Sequence, residues 1–409
     1  MNNISPLQAL QQAQLALSNA LTYLLYSSIV SIFPMGALGR VGVINAYPLM
    51  SCRSAFKTAY IPVPISLQKE TGRLISVKKY TSILARLYQN WGVTVKDIKQ
   101  GKAVGSVKGA IPKGQTYNNW LSSSGNADHY RPVHQLRHLL KNKGSEFFLR
   151  GIVHGSIATL DDTPGFSDMD IAFVIKKSVL KNPNLLLDLR TMAIEVLILT
   201  YEFDPFMHHG PYYISEIDTG WYPEAFFPSL LFLFGVDVLE PAEELAINIR
   251  PSEDVTEKMI DLFEKFFKQW ESRPFLLKNS FELEWLLGSA MLLPALYLQY
   301  ITKLFHYKKD AFPVAKRDFI ADEWEPIDRA SHLRVHLGPR VNPPSGVIAI
   351  AKIVRWPGLL RIWGRYNRDS ISRAKTVSAQ LGKDYPQRIL HLINVMKSKI
   401  DKVLNERPG

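Results

Sequence analysis

The spacing of apolar positions changes period several times along this 409-residue chain, and each change marks an element. Leu7, Leu10, Leu17, Leu21 and Leu24 recur three or four or multiples apart, which predicts an amphipathic helix near the amino terminus. Val77 to Trp91 predicts another, with Tyr80, Ile83, Leu84, Leu87 and Tyr88 on one face. Gly101 to Gly114 is rich in Gly and Lys and reads as a mobile loop, with Gly105-Ser106 as a weaker candidate phosphate loop. Asn118 to Asp128 reads as a polar linker. His134 to Asn142 predicts a helix, and the apolar runs Phe147–Val153 and Ile171–Ile175 predict strands. Asn182-Pro183 is a start signal for a helix over Asn184–Leu199. Asp204 to Ile214 reads as strand and turn, and Tyr222 to Leu233 as a helix in spite of Pro223 and Pro228.

Beyond Asp254 the pattern is helical throughout. Val255–Trp270 is amphipathic, Ile348–Trp363 is basic and aromatic, and Gln387–Leu404 closes the chain. Phe281–Phe305 is long and apolar, with Pro294 as the expected kink. Glu282, Glu284, Ser289 and Gln299 interrupt it, so it reads as the buried centre of a bundle and not as a membrane span. The series predicts an α+β chain, a mixed-sheet core followed by helices. The expected boundaries are a basic region of unassigned fold over 1–130, the core over 131–250 and a helical domain over 251–409.

Between the two predicted core strands lie Gly155-Ser156 and, twelve positions after Ser156, Asp168-Met169-Asp170. A Gly-Ser turn lets backbone N–H groups approach a phosphate, because glycine has no Cβ in the way. Two Asp at i and i+2 of a strand share one face. Paired hard oxygens suit Mg²⁺ or Mn²⁺, held by one or two carboxylates together with substrate phosphates. Phosphate cradle and carboxylate pair together suit metal-dependent phosphoryl or nucleotidyl transfer. A turn and an edge strand with solvated acids is the alternative the same letters allow.

At His154-Gly155-Ser156 and Ser167-Asp168-Met169-Asp170-Ile171 the chain resembles the DNA polymerase beta-like nucleotidyltransferase superfamily, including its bacterial minimal and aminoglycoside-type members. Thr163-Pro164-Gly165-Phe166-Ser167 is similar to the family's usual lead into the acidic strand. The resemblance covers about residues 145–330 and implies a nucleotidyltransferase core. It implies transfer of a nucleoside monophosphate from a nucleoside triphosphate such as ATP to a hydroxyl of RNA, protein or a small molecule. Gly155 and Ser156 would hold phosphates, and Asp168 and Asp170 would hold the metal. A non-catalytic nucleotide- or RNA-binding module on the same fold is the other class.

Two-metal transfer needs a third carboxylate. Asp204, Glu216 and Asp218 are the candidates, with Asp204 favoured because it follows the helix after the acidic strand. Capping a helix or turn is the plainer role for each. His208-His209-Gly210 resembles a segment of some bacterial nucleotidyltransferases, where a His could orient phosphate or act as base; a structural histidine is the alternative. Lys308 and Lys309 are expected at the end of the long helix, either favouring its dipole or, as the resemblance implies, steadying the triphosphate.

Charge is uneven. Residues 1–150 hold eighteen Lys or Arg against four Asp or Glu, so all of the net +12 precedes the Gly-Ser turn. Such an arm suits RNA, a protein acceptor or a solvated surface. The first 39 residues are uncharged, which leaves membrane association as a lesser reading. Removing residues 1–130 is expected to leave the acidic site able to bind nucleotide. With Cys52 alone no disulfide forms within the chain, in keeping with a reducing cytoplasmic setting.

Overall fold

The structure is a computed structural model that describes residues 5–30, 43–70, 74–100, 106–124, 128–163, 167–207, 210–224, 227–240, 243–250, 255–271, 274–302, 304–335 and 342–405. The chain opens with α1 (Pro6–Val30), β1 (Val43–Asn45), α2 (Tyr47–Thr58), α3 (Ile65–Gln68), β2 (Leu74–Ser76) and α4 (Val77–Gln100). Then come β3 (Val107–Ile111), β4 (Gln115–Thr116), α5 (Tyr117–Ser124) and α6 (Arg131–Leu139), which runs on as a π-helical turn over Leu140–Gly144. The central unit follows as α7 (Ser145–Phe147), β5 (Phe148–His154), α8 (Ser156–Thr159), β6 (Asp170–Ile175), α9 (Lys177–Leu180), α10 (Pro183–Phe203) and β7 (Tyr212–Ser215). Two more strands, β8 (Val236–Asp237) and β9 (Leu245–Ile249), complete it. The remainder is helical: α11 (Val255–Lys268), α12 (Ser280–Thr302), α13 (Lys308–Ala315), α14 (Ala321–Val335), α15 (Ser345–Val354), α16 (Gly358–Tyr366), α17 (Arg368–Leu381) and α18 (Tyr385–Asn405).

The main sheet has the order β4-β8-β5-β6-β7. β5 is antiparallel to β6 and β8, while β7 returns parallel to β6 after the α10 crossover. Both faces are covered, so β6 is apolar at successive positions. Ile171, Phe173 and Ile175 face a large core built with α1, α2, α4, α6 and α10. Ala172 and Val174 face a smaller one, shared with Tyr222, Phe227 and the β3–β9 ribbon. The chain is therefore mixed α+β, as the pattern implied.

Local chemistry explains the central crossover. Asn182 caps α10, its side chain accepting from the Asn184 N–H (2.9 Å) and the Leu185 N–H (3.3 Å), with Pro183 next. The helix is apolar all round because both sides are covered. Leu186, Leu189, Ala193 and Val196 meet the sheet-side core, whereas Leu197, Ile198 and Tyr201 meet α15 and α16. On the sheet, the buried Arg150 places Nη2 3.1 Å from each Asp237 oxygen and 2.8 Å from the Pro112 carbonyl. Asp237 also accepts from the Gly114 N–H at 2.7 Å, so this pair ties β5 to β8 and to the link before β4.

Several expectations need correction. Tyr222–Leu233 is not an α-helix: among its described residues only Ser229–Phe232 makes a 3₁₀ turn, because Pro223 and Pro228 remove donors and disfavour the helical region before them. The loop over 101–114 contains β3, paired in full with β9; Gly105 lies outside the described residues. The linker over 118–128 contains most of α5, fixed by the fully buried Trp120. The amino-terminal helix forms, and its Leu17, Leu21 and Leu24 are buried in a core shared with α10 and α4. α12 forms with Pro294 inside it and 72% of its most apolar stretch buried, packed on α11, α13, α14, α17 and α18. It ends at Thr302, so Lys308 and Lys309 start a new helix instead of ending the long one.

Candidate functional site

β5 delivers His154 opposite Asp170, and the chain turns at once through Gly155. Gly155 has φ +72°, and a Cβ there would stand 2.6 Å from Asp170 Oδ2. Both facts require glycine: the backbone lies where L residues rarely go, and a side chain would collide with the carboxylate. Ser156 opens α8, whose last residue, Thr159, is followed by Leu160 in the left-handed region. Thr163 and Ser167 then bracket the approach to the acids, the Thr163 N–H donating to Ser167 Oγ at 2.8 Å. Pro164, Gly165 and Phe166 lie outside the described residues.

Asp168 and Asp170 flank the buried Met169 and stay half-exposed, so the alternation keeps both carboxylates on one side. Tyr212 of β7 lies on that side too. Burial, then the charges of Asp170 and Asp168, push its hydroxyl well above the usual tyrosine range. The His154 ring stands 6.1 Å from the Tyr212 ring and 5.4 Å from Phe227.

The helical part closes the other side. Tyr307 Oη lies 2.9 Å from Thr159 Oγ1, and its ring stacks on Phe234 with 5.0 Å between centroids. Lys308 follows at the start of α13. Burial pushes its ammonium down to about 8, and the nearby Arg334 guanidinium acts the same way, while Asp168, Asp170 and Asp161 hold it up. Arg334, in the last turn of α14, is lowered by burial and supported by Asp161, Asp168 and Asp162. Lys309 Nζ lies 3.8 Å from Asp161, a partly exposed and hence weak pair. Acids from the sheet thus face cations from the helices, the arrangement that suits a cation and a polyphosphate together.

The structure brings together Gly155, Ser156, Asp168, Asp170, Lys308 and Lys309. It does not gather the expected third acid. Glu216 follows Ser215, which pairs with Ile175 at the far end of β6, roughly 17 Å along the strand from Asp170. There it accepts from the Lys177 N–H at 2.7 Å. Asp218 is buried beyond it, accepting from Gln14 (2.9 Å) and Trp91 (2.7 Å) on the same oxygen. Asp204 is fully buried at the end of α10, where Oδ1 accepts from the Phe206 N–H at 2.9 Å in the Asp-Pro turn. Its charge acts on Tyr201 beside Arg361 and Arg365 of α16. Among the described residues, no group of three or more His, Cys, Asp or Glu is placed to hold a metal. His208 and His209 lie outside the described residues. The two half-exposed carboxylates of Asp168 and Asp170 nonetheless fit a Mg²⁺ that takes its other oxygens from phosphate and water.

Thr159, Asp161, Tyr212, Phe234, Tyr307 and Arg334 were not legible as site residues. Asp161 and Tyr307 adjoin the motifs that were, and proximity in sequence was the one available hint. No protein-family model, no curated protein and no solved structure matches this chain.

Proposed function

We propose that this chain is a divalent-metal-dependent nucleotidyltransferase with a polymerase beta-like core, moving a nucleoside monophosphate from a nucleoside triphosphate to a hydroxyl acceptor. One observation carries the reading. The Gly155 turn lies against Asp170 while Lys308, from another part of the chain, is near enough to Asp168 and Asp170 for their charges to act on it. Asp168 and Asp170 would hold Mg²⁺, which when bound supplies positive charge to the polyphosphate. Gly155 and Ser156 give the phosphates room at the turn. Lys308, Lys309 and Arg334 neutralise the β- and γ-phosphates, so the leaving pyrophosphate departs with its charge balanced. The acceptor oxygen forms a bond to the α-phosphorus, the bond from that phosphorus to the bridging oxygen breaks, and the acceptor proton passes to solvent or a nearby base.

RNA or protein is the acceptor class we propose, on the strength of the positive charge before residue 150. The test is transfer of label from α-phosphate-labelled nucleoside triphosphates with Mg²⁺ to cellular RNA or protein. Asp168→Asn and Asp170→Asn should each lower transfer by about a hundredfold or more, as loss of a principal electrostatic group does. Equal transfer by either variant at saturating Mg²⁺ rules the reading out. Nucleotide binding with no transfer to any acceptor favours a non-catalytic binding module instead.

A further inference from the structure

A groove of about 810 Å³ runs between α6 with its π-helical turn, α10 and α15, and it is separate from the site described above. We propose that it is a second ligand site, for a small amphiphilic anion with an apolar or aromatic body and one carboxylate, sulfonate or phosphate group.

Its size and walls are those of a small-molecule site. Leu139, Ile198, Leu199 and Ile353 supply apolar surface, and Ile353 is 78% exposed. Arg131, Lys143, Lys352 and Arg355 stand around it. Two carboxylates answer these four cations: Glu202 meets Lys352 at 2.8 Å and Arg131 at 3.3 Å, and Glu195 meets Arg355 at 3.0 Å. The groove therefore keeps a positive balance beside an apolar floor, the complement of an amphiphilic anion.

Two further polar atoms point the same way. His134 Nδ1 lies 2.5 Å from the Tyr117 hydroxyl, and burial depresses the imidazole while raising the phenol. The other ring nitrogen, Nε2, and the neighbouring Gln135 Oε1 are enclosed at the groove with no protein partner. A buried polar atom left unmet is costly, so a ligand bringing polar groups to these two atoms gains there. Among the described residues no Phe, Tyr or Trp lines the groove.

The probe is 1-anilinonaphthalene-8-sulfonate, titrated by fluorescence into the full chain. A single saturable site is expected. Ile353→Asp and Lys143→Glu, both at exposed positions, should each weaken it about tenfold, a difference of about 1.4 kcal/mol. Laurate or phenyl phosphate should displace the probe, and which one does so separates a chain-like body from a ring. Unsaturable binding, equal binding in both variants, or displacement by neither competitor overturns the proposal. Binding of Mg²⁺ and ATP, followed in the same variants, should not change, which keeps this test independent of the nucleotidyl-transfer reading.

Discussion

Single residues decide the site. Gly155 is fixed by a positive φ and by the 2.6 Å that would separate its Cβ from Asp170. Gly155→Ala should cost about 1–2 kcal/mol of stability from backbone strain, and it should also cover the carboxylate. Chemical denaturation and calorimetry with Mg²⁺ and ATP check both effects; wild-type affinity in the variant would show that the Asp170 face is not the metal face. Asp218 gives a pH prediction. Burial raises its carboxyl to about 6, against the opposing hydrogen bonds from Gln14 and Trp91 and the charge of Arg250. The unfolded chain loses this proton near pH 4, so between about pH 4 and 6 the folded chain holds more protons and stability falls as pH rises. Asp218→Asn keeps an oxygen for Gln14 and Trp91 without the charge. It should gain about 2 kcal/mol at pH 7 and flatten the decline, as urea unfolding at pH 4, 5, 6 and 7 would measure. An unchanged pH profile would show that Asp218 is ionised throughout.

At the scale of elements, caps and prolines divide what was legible from what was not. Asn182-Pro183 announced α10, and the helix starts there with the cap in place. Asn182→Ala should destabilise by about 1 kcal/mol, seen as a lower urea midpoint with unchanged slope. A neutral effect would mean that tertiary packing alone holds the start of α10. The reverse case is Tyr222–Leu233, where apolar periodicity suggested a helix and two prolines prevented one. β3 was missed because Val107–Ile111 reads as Gly- and Lys-rich loop; its pairing with β9, more than a hundred residues later, makes it a strand. Lys308 was placed at the wrong kind of helix terminus, since nothing in the apolar pattern marked the break after Thr302.

For the whole molecule, the amino-terminal region and the sheet share one core. Ala13, Leu17, Leu24, Tyr80, Leu84 and Trp91 pack in the same cluster as Ile171, Phe173 and Val196. Deleting residues 1–130 should therefore expose the inner face of α10 and abolish cooperative unfolding. This replaces the expectation that the shortened chain keeps a working nucleotide site. A sharp thermal transition and retained ATP binding after deletion would show that the core beyond residue 130 stands alone. Among the described residues of this region the lysines are exposed. If it meets RNA, log affinity should fall with log salt by about 0.7 per phosphate contacted on single strands, as fluorescence anisotropy would read, and a flat response would remove RNA as acceptor.

The sequence by itself determined the helices and strands with strong periodicity, the Gly-Ser turn and the Asp168–Asp170 pair, because periodicity, glycine stereochemistry and strand alternation act over a few neighbouring residues. It could not determine which distant groups meet that pair. Asp204 was favoured over Glu216 by its place along the chain, yet an Asp-Pro turn buries Asp204 at the end of α10 and the parallel register of β7 carries Glu216 to the far end of the sheet. Arg334 and Tyr307 reach the site only through the packing of α12, α13 and α14, and Asp161 joins them through a left-handed turn at Leu160. Those meetings depend on the register of strands and the docking of helices, which many weak contacts far apart in sequence decide together.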